Sequence, residues 1–148
     1  MTDVFAPATL GPVQLRNRTV KAATFEGRTP EGQVTDGLVD YHLAVARGGV
    51  GLTTVAYLSV APEGRTHREQ IVVGEHSLAG LARLADEIHG AGAAVAGQVG
   101  HAGPVANARS NRAQALAPVR FFNPMGMKFA KHADRDDIKS RIEAALAG

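Results

Sequence analysis

Ala91-Gly92-Ala93-Ala94-Val95-Ala96-Gly97-Gln98-Val99-Gly100-His101-Ala102-Gly103 is the stretch that decides the fold. Its first half is an unbroken run of small apolar residues, the pattern of a strand covered on both faces. Its second half sets a carboxamide, Gln98, and an imidazole, His101, where that run gives way to glycine. Open α/β sheets and barrels keep their chemistry at strand carboxyl ends, so the stretch marks a site as well as a strand. A carboxamide both donates and accepts, which suits a ligand edge with N–H and C=O side by side; it can equally satisfy a neighbouring loop.

Outward from this stretch, residues 19–23 and 50–55 have the same character, and amphipathic helical patterns separate the three segments. The first helix is predicted to start at Thr35 or Asp36, to bury Leu38, Val39, Leu43, Val45 and Ala46, and to end at Gly48-Gly49. The second is predicted to follow Ser77 as its N-cap, to carry Leu78, Leu81, Leu84, Ala85 and Ile88, and to stop at Gly90 and Gly92. A third follows Asp134, with Asp136 and Asp137 in its first turn and Ile138, Ile142 and Leu146 along it. Ahead of the first strand, residues 8–15 read as a hairpin about Gly11-Pro12. Pro-Glu-Gly occurs at 30–32 and again at 62–64, beside Arg28-Thr29 and Arg65-Thr66, and reads as turn chemistry.

Strands alternating with helices imply a parallel sheet. A doubly wound dinucleotide fold needs a glycine-rich turn after its first strand, and Ala22-Ala23-Thr24-Phe25-Glu26-Gly27 stands there instead. The fold class predicted is therefore α/β, a TIM (β/α)₈ barrel, which typically takes about 250 residues. The 148 residues hold its first three βα units over 19–148, preceded by a hairpin lid over 1–18, as the amino-terminal portion of one domain. Such an incomplete barrel leaves strand edges unpaired.

No cysteine occurs, which excludes disulfide scaffolds, thiolate metal sites and thiol nucleophiles. The amino terminus shows no leader pattern and no stretch reaches membrane-spanning length, so a soluble cytoplasmic protein is expected. The net charge is +2, but no Asp or Glu lies between Glu87 and Asp134, where Arg109, Arg112, Arg120, Lys128 and Lys131 fall. This cluster is either an attractor for a phosphate-bearing cofactor or anionic substrate, or a solvated loop; it lacks the aromatic interleaving of a nucleic-acid platform. The six histidines, at 42, 67, 76, 89, 101 and 132, lack metal-site spacing, and no serine sits in a nucleophile elbow. Glu26 is a general base if it lies in a dry pocket, or else pairs with Arg28.

Taken together, residues 15–20 (Leu-Arg-Asn-Arg-Thr-Val), 22–27, 48–52 (Gly-Gly-Val-Gly-Leu) and 98–103 make a chain that resembles the amino-terminal part of the old yellow enzyme family of FMN-dependent NAD(P)H:flavin oxidoreductases. The resemblance implies FMN at the carboxyl ends of the strands, NADH or NADPH as hydride donor, and an activated alkene or similar small molecule as acceptor. It implies that Ala22, Ala23 and Thr24 line the flavin ring, that Ala56 meets its carbonyl edge and that Gln98 hydrogen-bonds its pyrimidine. Phe25 stands where many relatives have a cysteine or threonine that adjusts flavin potential, and Pro104 where the turn usually continues with arginine. His101 shapes the loop after the third strand. The family's substrate-binding histidine pair, its tyrosine and its phosphate site belong to later strands, so the 148 residues alone are expected to bind flavin weakly or not at all. Two other readings stand beside this one: a non-catalytic half-barrel that pairs with itself or a complementing chain, and a barrel enzyme of different chemistry using Glu26 or His101 as base.

Overall fold

In the computed structural model, which describes residues 3–147, the chain opens with an antiparallel hairpin of β1 (Ala8–Leu10) and β2 (Val13–Leu15), Thr9 opposite Gln14. Gly11 turns it at a φ of 56°, a left-handed backbone that glycine adopts without a Cβ penalty. Met1, Thr2 and Gly148 lie outside the described residues, and with them part of the amino-terminal stretch read for a leader.

The predicted strands then run side by side in one direction. β3 (Val20–Lys21), β4 (Leu52–Ser59) and β5 (Ala94–Gly100) form a parallel sheet in that order, with Val20 opposite Leu52 and Leu52 opposite Ala94. The connections are α1 (Asp36–Arg47) and α2 (Glu75–Gly90). Leu38, Val39, Leu84 and Ile88 from the helices meet Val55, Leu58 and Ala93 from the sheet in one core. Each of these larger aliphatic side chains contributes on the order of 1.5–3 kcal/mol by leaving water.

Local chemistry sets the helix ends. Thr35 caps α1, its Oγ1 accepting from the Leu38 N–H at 3.2 Å and donating to the Arg28 carbonyl at 2.6 Å. α2 starts earlier than its apolar pattern predicts. Ser77 sits inside the first turn rather than before it, and its hydroxyl accepts from the Gly74 N–H at 3.1 Å and donates to the Gly74 carbonyl at 2.9 Å. Leu78, expected on the buried side, stands 38% exposed.

The amino-terminal end of the sheet is held by two side chains from 15–20. The Arg16 guanidinium donates to the carbonyls of Val50 and Ala91 and to that of Ala46, so one cation closes the carbonyl ends of both helices and suits their negative dipole ends. Asn17 donates to the Gly49 carbonyl at 2.6 Å and accepts from the Thr19 backbone and hydroxyl.

After β5 the chain does not pass directly into a helix on the sheet. A short helical turn, α3 (Ala108–Asn111), leads to two small strand pairs. β6 (Leu116–Ala117) pairs in parallel with β9 (Lys131–His132), and β7 (Phe122–Asn123) pairs antiparallel with β8 (Lys128–Phe129). α4 (Arg135–Ala147) then lays Ala145 on Val60 and Ala61, just beyond β4, with Arg141 Nε 2.6 Å from Glu63 Oε1. No helix among the described residues is long and apolar enough to cross a membrane.

Candidate functional site

The carboxyl ends of β4 and β5 are shaped by a bulge. Val55 pairs with Gly97 and Leu58 with Val99, so Ala56 and Tyr57 together oppose Gln98. Tyr57 carries a φ of 55°, which a bulky residue adopts only when its surroundings impose it. Below the bulge, Thr53 and Val55 face the helices. Thr53 Oγ1 lies 2.8 Å from His42 Nδ1, and Val55 is in the core. By alternation Thr54 on β4, and Ala94, Ala96 and Gln98 on β5, face the other side, which no helix among the described residues covers.

On that open side the site residues fall as follows. Gln98 is exposed and lines a cavity of about 310 Å³ with Tyr57, Thr66, Gln70 and His101. Ala56 is 7% exposed and walls a smaller recess with Phe25 and Gln70. The Phe25 ring tilts against Tyr57 with centroids 6.2 Å apart and against His67 at 5.5 Å. Phe25, Ala56 and Gln98 are therefore gathered around Tyr57. Ala22, Ala23 and Thr24 follow β3 outside any regular element, with Ala22 and Thr24 exposed and Ala23 half-buried. Sequence reasoning missed Tyr57 and Gln70: Tyr57 is placed by the bulge, which no turn residue announces, and Gln70 by the loop after β4, where its Oε1 accepts from the Thr66 N–H at 2.9 Å.

Glu26 does not pair with Arg28. Its carboxylate, only 4% exposed, holds Lys21 Nζ at 2.7 Å, and Lys21 also donates to the Thr54 carbonyl at 3.0 Å. Arg28 turns instead to the Tyr41 ring, 5.3 Å from its centroid. His42, fully buried, places Nε2 at 3.4 Å from the same Glu26 oxygen, outside hydrogen-bond geometry. Burial holds the His42 imidazole below its ordinary value of 6.5, the nearby Lys21 ammonium adds to this, and Glu26 opposes it. This cluster sits on the helix side of β3, behind residues 22–25.

His101 accepts the Gly103 N–H on Nδ1 at 2.9 Å, which fixes the turn that begins after β5. The backbone of Gly64 rests on its ring so closely that a Cβ there would lie 2.5 Å from Cδ2. Its Nε2 is buried without a partner. Burial pushes His101 below 6.5 and Arg141 adds to this, against the opposing charge of Glu63.

Parallel strands backed by helices on one face, with small side chains and an exposed carboxamide on the other at the strand carboxyl ends, define part of an α/β barrel. The chain belongs to the NADH:flavin oxidoreductase / NADH oxidase family, whose model matches residues 3–144. It is 53% identical over 144 residues to a 4,4'-dithiodibutanoate disulfide reductase of Rhodococcus erythropolis, covering 95% of this chain and 36% of that protein. It is 35% identical over 118 residues to a metal reductase of Desulforamulus reducens, covering 80% of this chain and 18% of that one. The chain thus spans about a third or less of the length of the curated relatives it matches. Among solved structures, a 2-naphthoyl-CoA reductase complex superposes with a TM-score of 0.83 at 24% identity, over 95% of this chain and 24% of that one. The old yellow enzyme homologue of Zymomonas mobilis gives 0.83 at 19%, over 97% and 44%, and morphinone reductase with tetrahydroNAD gives 0.82 at 20%, over 97% and 44%. At these identities the structural likenesses show the fold.

Proposed function

We propose that the open face of β3, β4 and β5 is the ring-binding part of an FMN site, and that the protein is an oxidoreductase of the old yellow enzyme type. The chemistry FMN supplies when bound is the relay of a hydride from NADH or NADPH to a small-molecule acceptor. The residues present fit a flavin: Ala22, Ala56 and Ala96 leave room for a planar ring, and Gln98 offers a donor and an acceptor at the height of the bulge. The observation that carries the reading is Gln98 opposite Ala56 at the carboxyl end of the sheet.

In this reading the Gln98 carboxamide orients the pyrimidine edge and stabilises negative charge there through a donor already in place. Ala22, Ala23 and Thr24 approach the ring through backbone and small side chains. Phe25, tilted against Tyr57 and His67, lines the side of the pocket. Residues 1–18 close the amino-terminal end of the barrel and 19–148 form its first units. The acceptor is an activated alkene; the disulfide reductase similarity favours an organic disulfide as a second class.

The test uses riboflavin, which carries the ring without a phosphate. In ¹⁵N-labelled chain, we expect riboflavin to shift the Gln98 side-chain amide and the Ala56 backbone amide and to leave the amides of α4 in place. Shifts that spare Gln98, or no shift at Gln98 in the polypeptide that carries these strands in a closed barrel, would overturn the reading. Turnover of an alkene against a disulfide by the polypeptide that carries these strands in a closed barrel separates the two acceptor classes.

A further inference from the structure

We propose that the basic pocket between residues 108–115 and 123–129 binds the diphosphate of a nucleotide-type small molecule. Arg109, Arg112 and Lys128 line a cavity of about 360 Å³ together with Gln114 and Phe129, and no carboxylate lines it. Among the described residues none of these three cations is in an ion pair. No acid lies between Glu87 and Asp134 in sequence, and the acid on the turn packed against α3, Glu63, gives its carboxylate to Arg141 at 2.6 Å, so the pocket keeps a positive field.

The pocket is built rather than incidental. Asn123, 1% exposed, donates to the carbonyls of Pro104 and Ala106 at 2.8 Å each and accepts the Gly126 N–H at 2.5 Å, which folds the β7–β8 turn against the loop after β5. Gly126 packs so tightly on α3 that a Cβ would lie 2.7 Å from Ala108 Cβ. Gln114 Nε2 donates to the Phe129 carbonyl at 2.6 Å, closing the other side. The wall carrying Arg109 and Arg112 is thus fixed relative to the wall carrying Lys128 before any ligand arrives, which reduces the ordering cost of binding.

Three cations match a diphosphate, whose charge is spread over several oxygens, and two guanidinium forks suit phosphate geometry. A single carboxylate would leave two of the three unanswered. Phe129, edge to face with Phe122 at 5.6 Å and covered by Arg120 at 4.4 Å, adds an apolar wall at the same place. Asn111 ties α3 to the loop after β4 by donating to the Arg65 carbonyl at 2.8 Å, so the pocket stands at the same end of the sheet as Gln98. The adenosine diphosphate part of a hydride donor or of an acceptor substrate supplies this chemistry, and the inference extends the proposed function without depending on flavin binding.

Calorimetric titration of the 148-residue chain with ADP tests it, with adenosine and glutarate as the uncharged and dicarboxylate controls. We expect ADP to bind with an affinity that falls steeply as salt rises, and neither control to bind. The paired substitution Arg109→Ala with Arg112→Ala, and separately Lys128→Ala, should each weaken ADP tenfold or more. Arg68→Ala, at a cation 73% exposed on the loop after β4, should leave it unchanged. All four are surface positions, and unchanged circular dichroism checks the fold. Competition by NADH assigns the pocket to the donor, and ADP binding without NADH competition assigns it to the acceptor; both uphold a diphosphate site. Absence of ADP binding, binding indifferent to these substitutions, or glutarate binding in place of ADP overturns it. Riboflavin shifts at Gln98 report on the flavin site alone, so the two readings fail separately.

Discussion

Glu26 carries a negative charge to a place that water barely reaches, and two basic side chains converge on one of its oxygens. Glu26→Ala leaves the Lys21 ammonium with the Thr54 carbonyl and the Tyr41 ring, 5.3 Å from its centroid, but no counter-charge, and stranding a buried partner costs about 3–5 kcal/mol. We expect urea unfolding to show a loss of that order, with Glu26→Gln intermediate because the amide still accepts from Lys21. The histidines give a pH dependence of definite sign. His42 and His101 both lie below the ordinary value of 6.5 when folded, so the unfolded chain takes up protons first as pH falls. Their contribution to stability is whole above about pH 7, where the unfolded imidazoles are neutral. It declines as pH drops through 6.5 toward the folded values. Urea midpoints at pH 7.5 and 5.5 should differ accordingly, and His101→Gln should reduce the difference while the exposed His89→Gln should not. Equal slopes in all three proteins would remove the burial argument. Glu26 also shows where sequence reasoning stops. Arg28 is near it along the chain, but Lys21 is on the helix-facing side of β3 and reaches it through space.

At the scale of elements, the α1 boundaries and the order and direction of the three strands were legible, because a threonine cap, a glycine pair and runs of small apolar residues each have one local cause. The strand extents were not, for β3 pairs over Val20–Lys21 rather than 19–23 and β4 runs on past 55 to Ser59. The start of α2 was not, since Gly74 takes the cap position and Ser77 serves it from within the turn. Nor was the β4 bulge, for Ala56-Tyr57 carries no turn signal. The segment 101–134 was illegible for a further reason: its strands are two residues long and are held by side chains such as Asn123 rather than by periodicity. The motif 48–52 now has a mechanical explanation. Gly51 lies against Asn17, and a Cβ there would collide with the Asn17 backbone carbonyl. Gly51→Ala must push β4 off the Asn17 clamp, and overpacking of this kind costs about 1–3 kcal/mol. Thermal unfolding should show that loss, whereas Gly90→Ala, with open space at its Cβ, should be neutral or slightly stabilising. If both substitutions behave alike, Asn17 is not the constraint.

The whole molecule presents a sheet with one covered face and one open face. α1 and α2 bury the outer side, while Val20, Phe25, Tyr57 and Gln98 stand exposed on or around the inner side, and β3 and β5 are edges of the described sheet. A closed barrel would pair both edges and fill that interior with side chains from facing strands. A flavin held by the 148 residues gains contacts from one side only, and its phosphate gains none of the anchoring that TIM barrels supply near their last two strands. We therefore expect the purified 148-residue chain to be colourless or faintly yellow, with FMN well below one equivalent by visible absorbance after gel filtration. Stoichiometric FMN in that sample would show that three strands suffice. The same open face sets the alternative. A half-barrel that completes itself would bury the edges and the inner apolar residues against a second copy, giving a defined dimer. Light scattering distinguishes the two, because an unfilled flavin site predicts a monomer or concentration-dependent association, not one fixed mass. A tight dimer that also excludes riboflavin from Gln98 would favour the self-completing module over the flavin site.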